Sequence, residues 1–86
     1  MNKEVTIIDV RTAGEFAGGH VEGSINIPLD TVPHRLNDIK NIQGQIILCC
    51  ASGGRSHMAK QFLMQQGCTN VQDGGPWQMV AMRMSA

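Results

Sequence analysis

One stretch governs what this chain can fold into: Ile46-Ile47-Leu48-Cys49-Cys50-Ala51-Ser52-Gly53-Gly54-Arg55-Ser56. Gln45 to Cys49 predicts a strand that is apolar throughout, as a central parallel strand covered on both faces must be. His57 to Gln66 predicts a helix with Met58, Ala59, Phe62 and Leu63 on one side and Gly67 as its stop. A strand, a short glycine-containing loop and a helix follow one another directly, as in a parallel crossover unit. The helix start offers unpaired N–H groups and a partial positive charge. Beside an arginine, such a site lowers a thiol pKa and favours the thiolate. Gly53 and Gly54 permit backbone angles that turn peptide N–H groups inward around an anion. The chemistry predicted is a thiolate nucleophile that handles an anionic substrate. A cysteine at a strand end is ordinarily a small buried hydrophobe. Small residues, an arginine and a helix start in one span leave few purely structural explanations.

The rest of the chain alternates strand and helix patterns. Val5 to Val10 reads as a buried strand. Thr12 is placed to cap a helix over Ala13 to Ala17, with Glu15 three residues on as in a capping box. Gly18-Gly19 ends that helix. Ser24 to Pro28 predicts a second short strand. A helix is expected from Asp30-Thr31 through Arg35, Leu36 and Ile39, with Pro33 tolerated only in its first turn. Thr69 to Gln72 predicts a fourth strand and Gly74-Gly75-Pro76 a turn, with Pro76 opening a last helix that carries Met79, Val80 and Met82. Such alternation implies an α/β fold, a central parallel sheet with helices on both faces. The 86 residues leave room for one domain, 1–86, with one modest core. The six methionines are expected to fill gaps in that core, and Cys68 to lie in it.

Cys50-Ala51-Ser52-Gly53-Gly54-Arg55-Ser56 resembles the active-site loop of the rhodanese-like sulfurtransferases, whose usual form is C-x-S-G-x-R-S. Ile8-Asp9-Val10-Arg11, Glu15-Phe16, Gly19-His20, Gly23 and Asn26-Ile27-Pro28-Leu29 match that family's opening signature in order and spacing. Gly67, Val71 and Gly74-Gly75 fit its closing segment. The resemblance covers nearly the whole chain and is nearest to the short single-domain members. It implies a rhodanese-like three-layer domain whose central parallel sheet has four to five strands flanked by helices. The strand and helix that usually precede the Asp-Val-Arg strand are not read in this sequence, so one sheet edge is expected to be less covered.

The resemblance also implies a two-step sulfur transfer. Cys50 attacks the outer sulfur of thiosulfate, polysulfide or a persulfide, carries it, and passes it to a thiol or cyanide. Ala51, Ser52, Gly53, Gly54, Arg55 and Ser56 form the substrate cradle, and neither cofactor nor metal is required. Arg55 either adds positive field at the substrate or ties the loop to the sheet. Only Lys60 adds a further basic group near the loop in sequence, which suggests modest affinity for doubly charged thiosulfate.

Two other readings stand beside it. Cys49 and Arg55 also spell C-x5-R, the longer loop of rhodanese-fold phosphatases and arsenate reductases, which holds a tetrahedral oxyanion. Ser52, Gly53, Arg55 and Ser56 favour the Cys50 register, and Leu48 stands where many phosphatases carry histidine. Cys49 is then a packing residue or a second, resolving thiol. The third reading is a non-catalytic binding module, which many rhodanese-like domains are. Asp9, Arg11, Glu15 and His20 are expected to form a buried polar network rather than to do chemistry. His57 either meets substrate or is an exposed helix residue. Trp77 covers the site mouth or caps the core.

Charge argues against several partners. Seven basic and seven acidic side chains balance, which gives no global field for nucleic acid or a membrane surface. Three aromatics, Phe16, Phe62 and Trp77, offer little for base stacking. No apolar run approaches the roughly 20 residues that span a bilayer. Adjacent Cys49 and Cys50 make a poor disulfide framework, so reduced thiols are expected. Val5-Thr6-Ile7-Ile8 enters a strand with no leader pattern before it, which predicts the cytoplasm. The periplasm is the alternative if an export signal was removed, given the resemblance to a periplasmic member of the family. The expected state is a monomer, with a dimer as the alternative.

Overall fold

The computed structural model of the chain describes residues 4–85. Four strands, β1 (Val5–Asp9), β2 (Ile25–Asn26), β3 (Gln45–Cys50) and β4 (Val71–Pro76), form one sheet in the order β2-β1-β3-β4. All three pairings are parallel. Helices α1 (Ala13–Ala17), α2 (Leu36–Lys40), α3 (Gly54–Gln65) and α4 (Trp77–Met84) fill the connections and the end of the chain. A 3₁₀ segment, Leu29–Arg35, leads into α2. The result is the α/β architecture expected from the sequence, a central parallel sheet of four strands with helices on both faces.

Strand alternation builds the two halves of the core. Successive side chains of β3 point to opposite faces. Ile46, Leu48 and Cys50 join Ile8, Val10, Ile39, Ala59 and Leu63 on one face, under α2 and α3. Ile47 and Cys49 join Ile7, Val21 and Val80 on the other, under α4. Ile8, Ile46, Leu48 and Leu63 are fully buried. Each such side chain stabilises the fold by about 1.5–3 kcal/mol relative to its exposed state.

Several boundaries differ from the sequence reading for identifiable reasons. β3 runs one residue further, through Cys50, and α3 begins at Gly54 rather than His57. The buried stripe of α3 is therefore Ser56, Ala59 and Leu63, and Met58 turns outward. The expected helix from Asp30 to Ile39 divides in two. Pro33 lies in the middle of its first part, where it has no N–H to give and crowds the preceding turn. The tighter 3₁₀ geometry accommodates it, and the α-helix starts only at Leu36.

The turn expected at Gly74-Gly75-Pro76 is instead strand. Its pairing with β3 slips opposite Leu48 and Cys49, and Gly75 takes φ +77 there, a bulge that glycine admits without strain. Gly74 lets β4 pass close beneath α4. A Cβ at that position would lie 2.6 Å from Val80 Cγ2 and 2.7 Å from Ile47 Cγ2. The methionines do not fill the core. Met58, Met64, Met79, Met82 and Met84 are all exposed, Met82 at 71%, and Met1 lies outside the described residues. Branched and small residues close the narrow space between sheet and helices without them.

Candidate active site

Cys50 ends β3 and the chain turns at once into α3, so its sulfur sits at the C-terminal edge of the sheet and at a helix start. Gly53 adopts φ +105, a left-handed angle that lets its N–H turn back toward the sulfur. That N–H donates to Cys50 Sγ at 3.0 Å, and the Ser56 N–H donates at 3.4 Å. The Ser56 hydroxyl lies 3.5 Å from the same sulfur. Burial pushes the Cys50 thiol up, but the N–H groups of Ser56, Gly53 and Ser52 pull it the other way, and its pKa falls below the ordinary thiol value. The cradle is thus an anion-holding nest closed around one sulfur. Ala51, Ser52 and Gly54 are exposed parts of the same turn.

The structure places Cys49 on the other face of the sheet. It is fully buried against Ile7, Ile47 and Val80. Burial, with Asp9 nearby, pushes its thiol up to about 12. The sequence favours Cys50 and reads Cys49 as a packing residue or a second thiol; strand alternation puts the two on opposite faces of the sheet. Cys68 is buried in the first face of the core, as expected.

Arg55 spends its charge on a carboxylate of another helix. Its guanidinium makes a bidentate ion pair with Glu15, Nη1 to Oε1 at 2.8 Å and Nη2 to Oε2 at 3.0 Å. It therefore ties the loop to α1 rather than to the sheet. Glu15 also completes the capping box expected of it: Thr12 Oγ1 accepts from the Glu15 N–H, and the Thr12 N–H donates to Oε1. Arg55 and the Thr12 N–H hold the Glu15 carboxyl down to about 2. Beside Arg55 opens a cleft of about 330 Å³, lined by Val10, Thr12, Pro28, Leu29 and Asp30.

The expected polar network forms in part. Asp9 and Arg11 are buried and paired at 2.8 Å, and Arg11 Nη2 also donates to the Gly19 carbonyl. Glu15 lies outside this pair, with Arg55. His20 is exposed: it stacks on Phe16 with ring centroids 3.7 Å apart and its Nδ1 lies 2.7 Å from the Phe16 carbonyl. Both His20 contacts lie with Phe16 of α1 rather than with the cysteine loop. His57 is an exposed residue in the first turns of α3, 3.8 Å from Asp73 Oδ2. Trp77 packs in the second face of the core, with the Arg11 guanidinium 4.9 Å above its ring, and so caps the core instead of the site mouth.

One neighbour escaped the sequence reading. Asp73 Oδ1 accepts from the Ser56 hydroxyl at 2.7 Å and from the Gly75 N–H at 3.0 Å. The strand was expected to end at Gln72. Only its continuation through Pro76 brings Asp73 alongside the loop. Among the described residues, no group of three His, Cys, Asp or Glu side chains could hold a metal ion.

Comparison with known proteins agrees with this geometry. Residues 1–75 match the family model described as Rhodanese-like domain. The chain is 34% identical over 76 residues to thiosulfate sulfurtransferase PspE of Escherichia coli, covering 87% of this chain and 73% of that protein. It is 39% identical over 69 residues to the Bacillus subtilis protein YqhL, covering 80% of this chain and 54% of the other, so it spans about half the length of that relative. The fold superposes on a rhodanese with anions from E. coli with a TM-score of 0.82 at 32% identity, over 91% of this chain and 93% of that one. A nest of N–H groups around a single loop cysteine, on this sheet and with these relatives, identifies the chain as a member of the rhodanese-like domain family.

Proposed function

We propose that the protein is a sulfurtransferase that carries sulfane sulfur as a persulfide on Cys50. The observation that carries the reading is the convergence of the Gly53 and Ser56 N–H groups on Cys50 Sγ. Such donors stabilise a thiolate before reaction and the persulfide anion after it. In the first half-reaction the Cys50 thiolate attacks the outer sulfur of thiosulfate, polysulfide or a persulfide. The donor S–S bond breaks, and sulfite or a thiolate leaves with the electron pair. In the second, cyanide or a thiol attacks the outer sulfur of Cys50–S–S⁻. The S–S bond breaks again, thiocyanate or a new persulfide forms, and the Cys50 thiolate returns. No electron acceptor is consumed in either step.

Arg55 serves as a positioning residue for the loop in this scheme, since Glu15 takes its charge. The cleft beside it has room for the body of a small organic donor or acceptor. The longer-loop phosphatase or arsenate-reductase reading needs a Cys49 thiolate, which burial opposes. A docking module without chemistry would have no use for a cradled, activated thiol. The protein is proposed to act as a monomer on small-molecule sulfur compounds.

The test is steady-state kinetics with thiosulfate or polysulfide as donor and cyanide as acceptor. Covalent transfer through one thiol predicts parallel double-reciprocal lines, the ping-pong pattern. Intersecting lines would contradict a free persulfide enzyme, and absence of turnover with every donor would favour the docking module.

A further inference from the structure

The Ser56 hydroxyl has one proton and three acceptors near it. Asp73 Oδ1 is at 2.7 Å, the Gly53 carbonyl at 3.1 Å and Cys50 Sγ at 3.5 Å. A hydrogen bond to an ionised carboxylate is shorter and roughly twice as strong as one between neutral groups. While Asp73 is ionised, the proton therefore points to Asp73, and the oxygen lone pairs of Ser56 face the sulfur. In that state Ser56 accepts from a Cys50 thiol and offers a thiolate nothing. Ser56 is fully buried, so no water replaces either partner.

We infer that Asp73 is a positioning residue that sets how readily Cys50 ionises, by holding the Ser56 hydroxyl proton away from the sulfur. The reading rests on Cys50 being the reacting thiol, as in the proposed sulfur transfer, but its test does not use sulfur transfer. The loop N–H groups draw Cys50 toward the thiolate. Asp73, through Ser56, restrains that pull. Thiolate nucleophilicity falls as thiol pKa falls, and the best attacking thiol has a pKa near the ambient pH. A restraint that keeps the thiol from becoming too acidic thus suits an attacking group.

The groups that face this chain are few. Asp73 Oδ1 is held by the Gly75 N–H of its own strand, and Oδ2 faces His57 Nδ1 of α3 at 3.8 Å. His57 adds positive charge there only when protonated. Leu48 of β3 lies beside Asp73 and carries no charge. On the Cys50 side the loop carries Arg55, itself paired with Glu15.

The experiment is the pH dependence of iodoacetamide alkylation at Cys50, mapped by peptide mass, in the wild type, Asp73→Asn, Ser56→Ala and the double variant. Asparagine keeps the shape and an acceptor for the Gly75 N–H but removes the charge that holds the Ser56 proton. The Asp73→Asn midpoint is expected to move down by about one pH unit, the size of one hydrogen bond to a charged group. Ser56→Ala alone is expected to move the midpoint little. In the Asp73→Asn background it is expected to move it back up, because only there does the hydroxyl serve the thiolate. His57→Gln is run alongside, and a downward shift in Asp73→Asn must persist without His57. An unchanged midpoint in Asp73→Asn would overturn the inference. So would an equal downward shift with and without Ser56, which would make Asp73 a through-space charge alone. Far-UV circular dichroism checks each fold. If Asp73→Asn does not fold, the Ser56→Ala profile decides: a large upward shift would show that Ser56 already serves the thiolate and overturn the restraint. Failure of sulfur transfer with these alkylation shifts intact would count against the proposed function and leave this inference standing.

Discussion

Cys49 and Cys50 are neighbours in the chain and belong to different halves of the molecule. Each residue along a strand reverses the side-chain direction, so one thiol lines the nest and the other is sealed under α4. Two outcomes follow at this scale. Cys50→Ser is expected to abolish sulfur loading from thiosulfate or polysulfide, read by mass spectrometry. Cys49→Ser is expected to load normally while losing about 1–3 kcal/mol of stability in a urea titration, because it buries a hydroxyl among apolar neighbours. Loading that follows Cys49 would reverse the register. The loop from Cys50 to Ser56 was legible as chemistry from its residue types. The separation of the two thiols was not drawn out, because the strand was expected to stop at Cys49. Carrying the alternation one residue further would have revealed it. The ion pair of Arg55 with Glu15 was beyond reach, since nothing in the spacing brings residues 40 positions apart together.

At the scale of elements, the α1 to α3 link and the β4 to α4 contact are the two joints that shape the site. Glu15 is held down to about 2 from an ordinary value of 4.5. Its ionised form is thus favoured by folding. That contribution is complete above about pH 4.5 and is lost as the pH falls toward about 2. Glu15→Gln should therefore remove part of the acid sensitivity. The stability gap between wild type and variant, followed by denaturant melts, should close across that window. A gap constant with pH would mean the pair contributes nothing through charge. Gly74→Ala tests the other joint. Its methyl would press on Val80 and Ile47, and a loss of about 1–3 kcal/mol is expected from overpacking. The element order and α1 with its capping box were legible because their signals are local. The split helix around Pro33 and the extension of β4 through Gly74-Gly75 were not. In both places tertiary packing overrides the usual meaning of proline and glycine.

The whole molecule is a thin sheet with two unequal cores, measuring 34 × 29 × 17 Å. The methionines were expected inside it. Composition alone says how apolar a side chain is and nothing of how much interior a chain this short can enclose. Asp9 and Arg11 form a buried ion pair beneath the strand edge, and Arg11 also holds the Gly19 carbonyl and covers Trp77. Asp9→Asn leaves the Arg11 charge without its partner, and a loss of about 3–5 kcal/mol is expected in equilibrium unfolding. Against a total of about 5–15 kcal/mol for a domain, that threatens the fold itself. A change below 1 kcal/mol would show that the pair is dispensable. The central claim concerns one atom, the sulfur of Cys50, and the most direct measurement is intact-protein mass spectrometry after incubation with thiosulfate or polysulfide, without reductant, and again after cyanide. A gain of one sulfur atom, mapped to Cys50 and removed by cyanide, is expected. A sulfur mapped to Cys49 or Cys68, or no gain with either donor from a correctly folded protein, would contradict it.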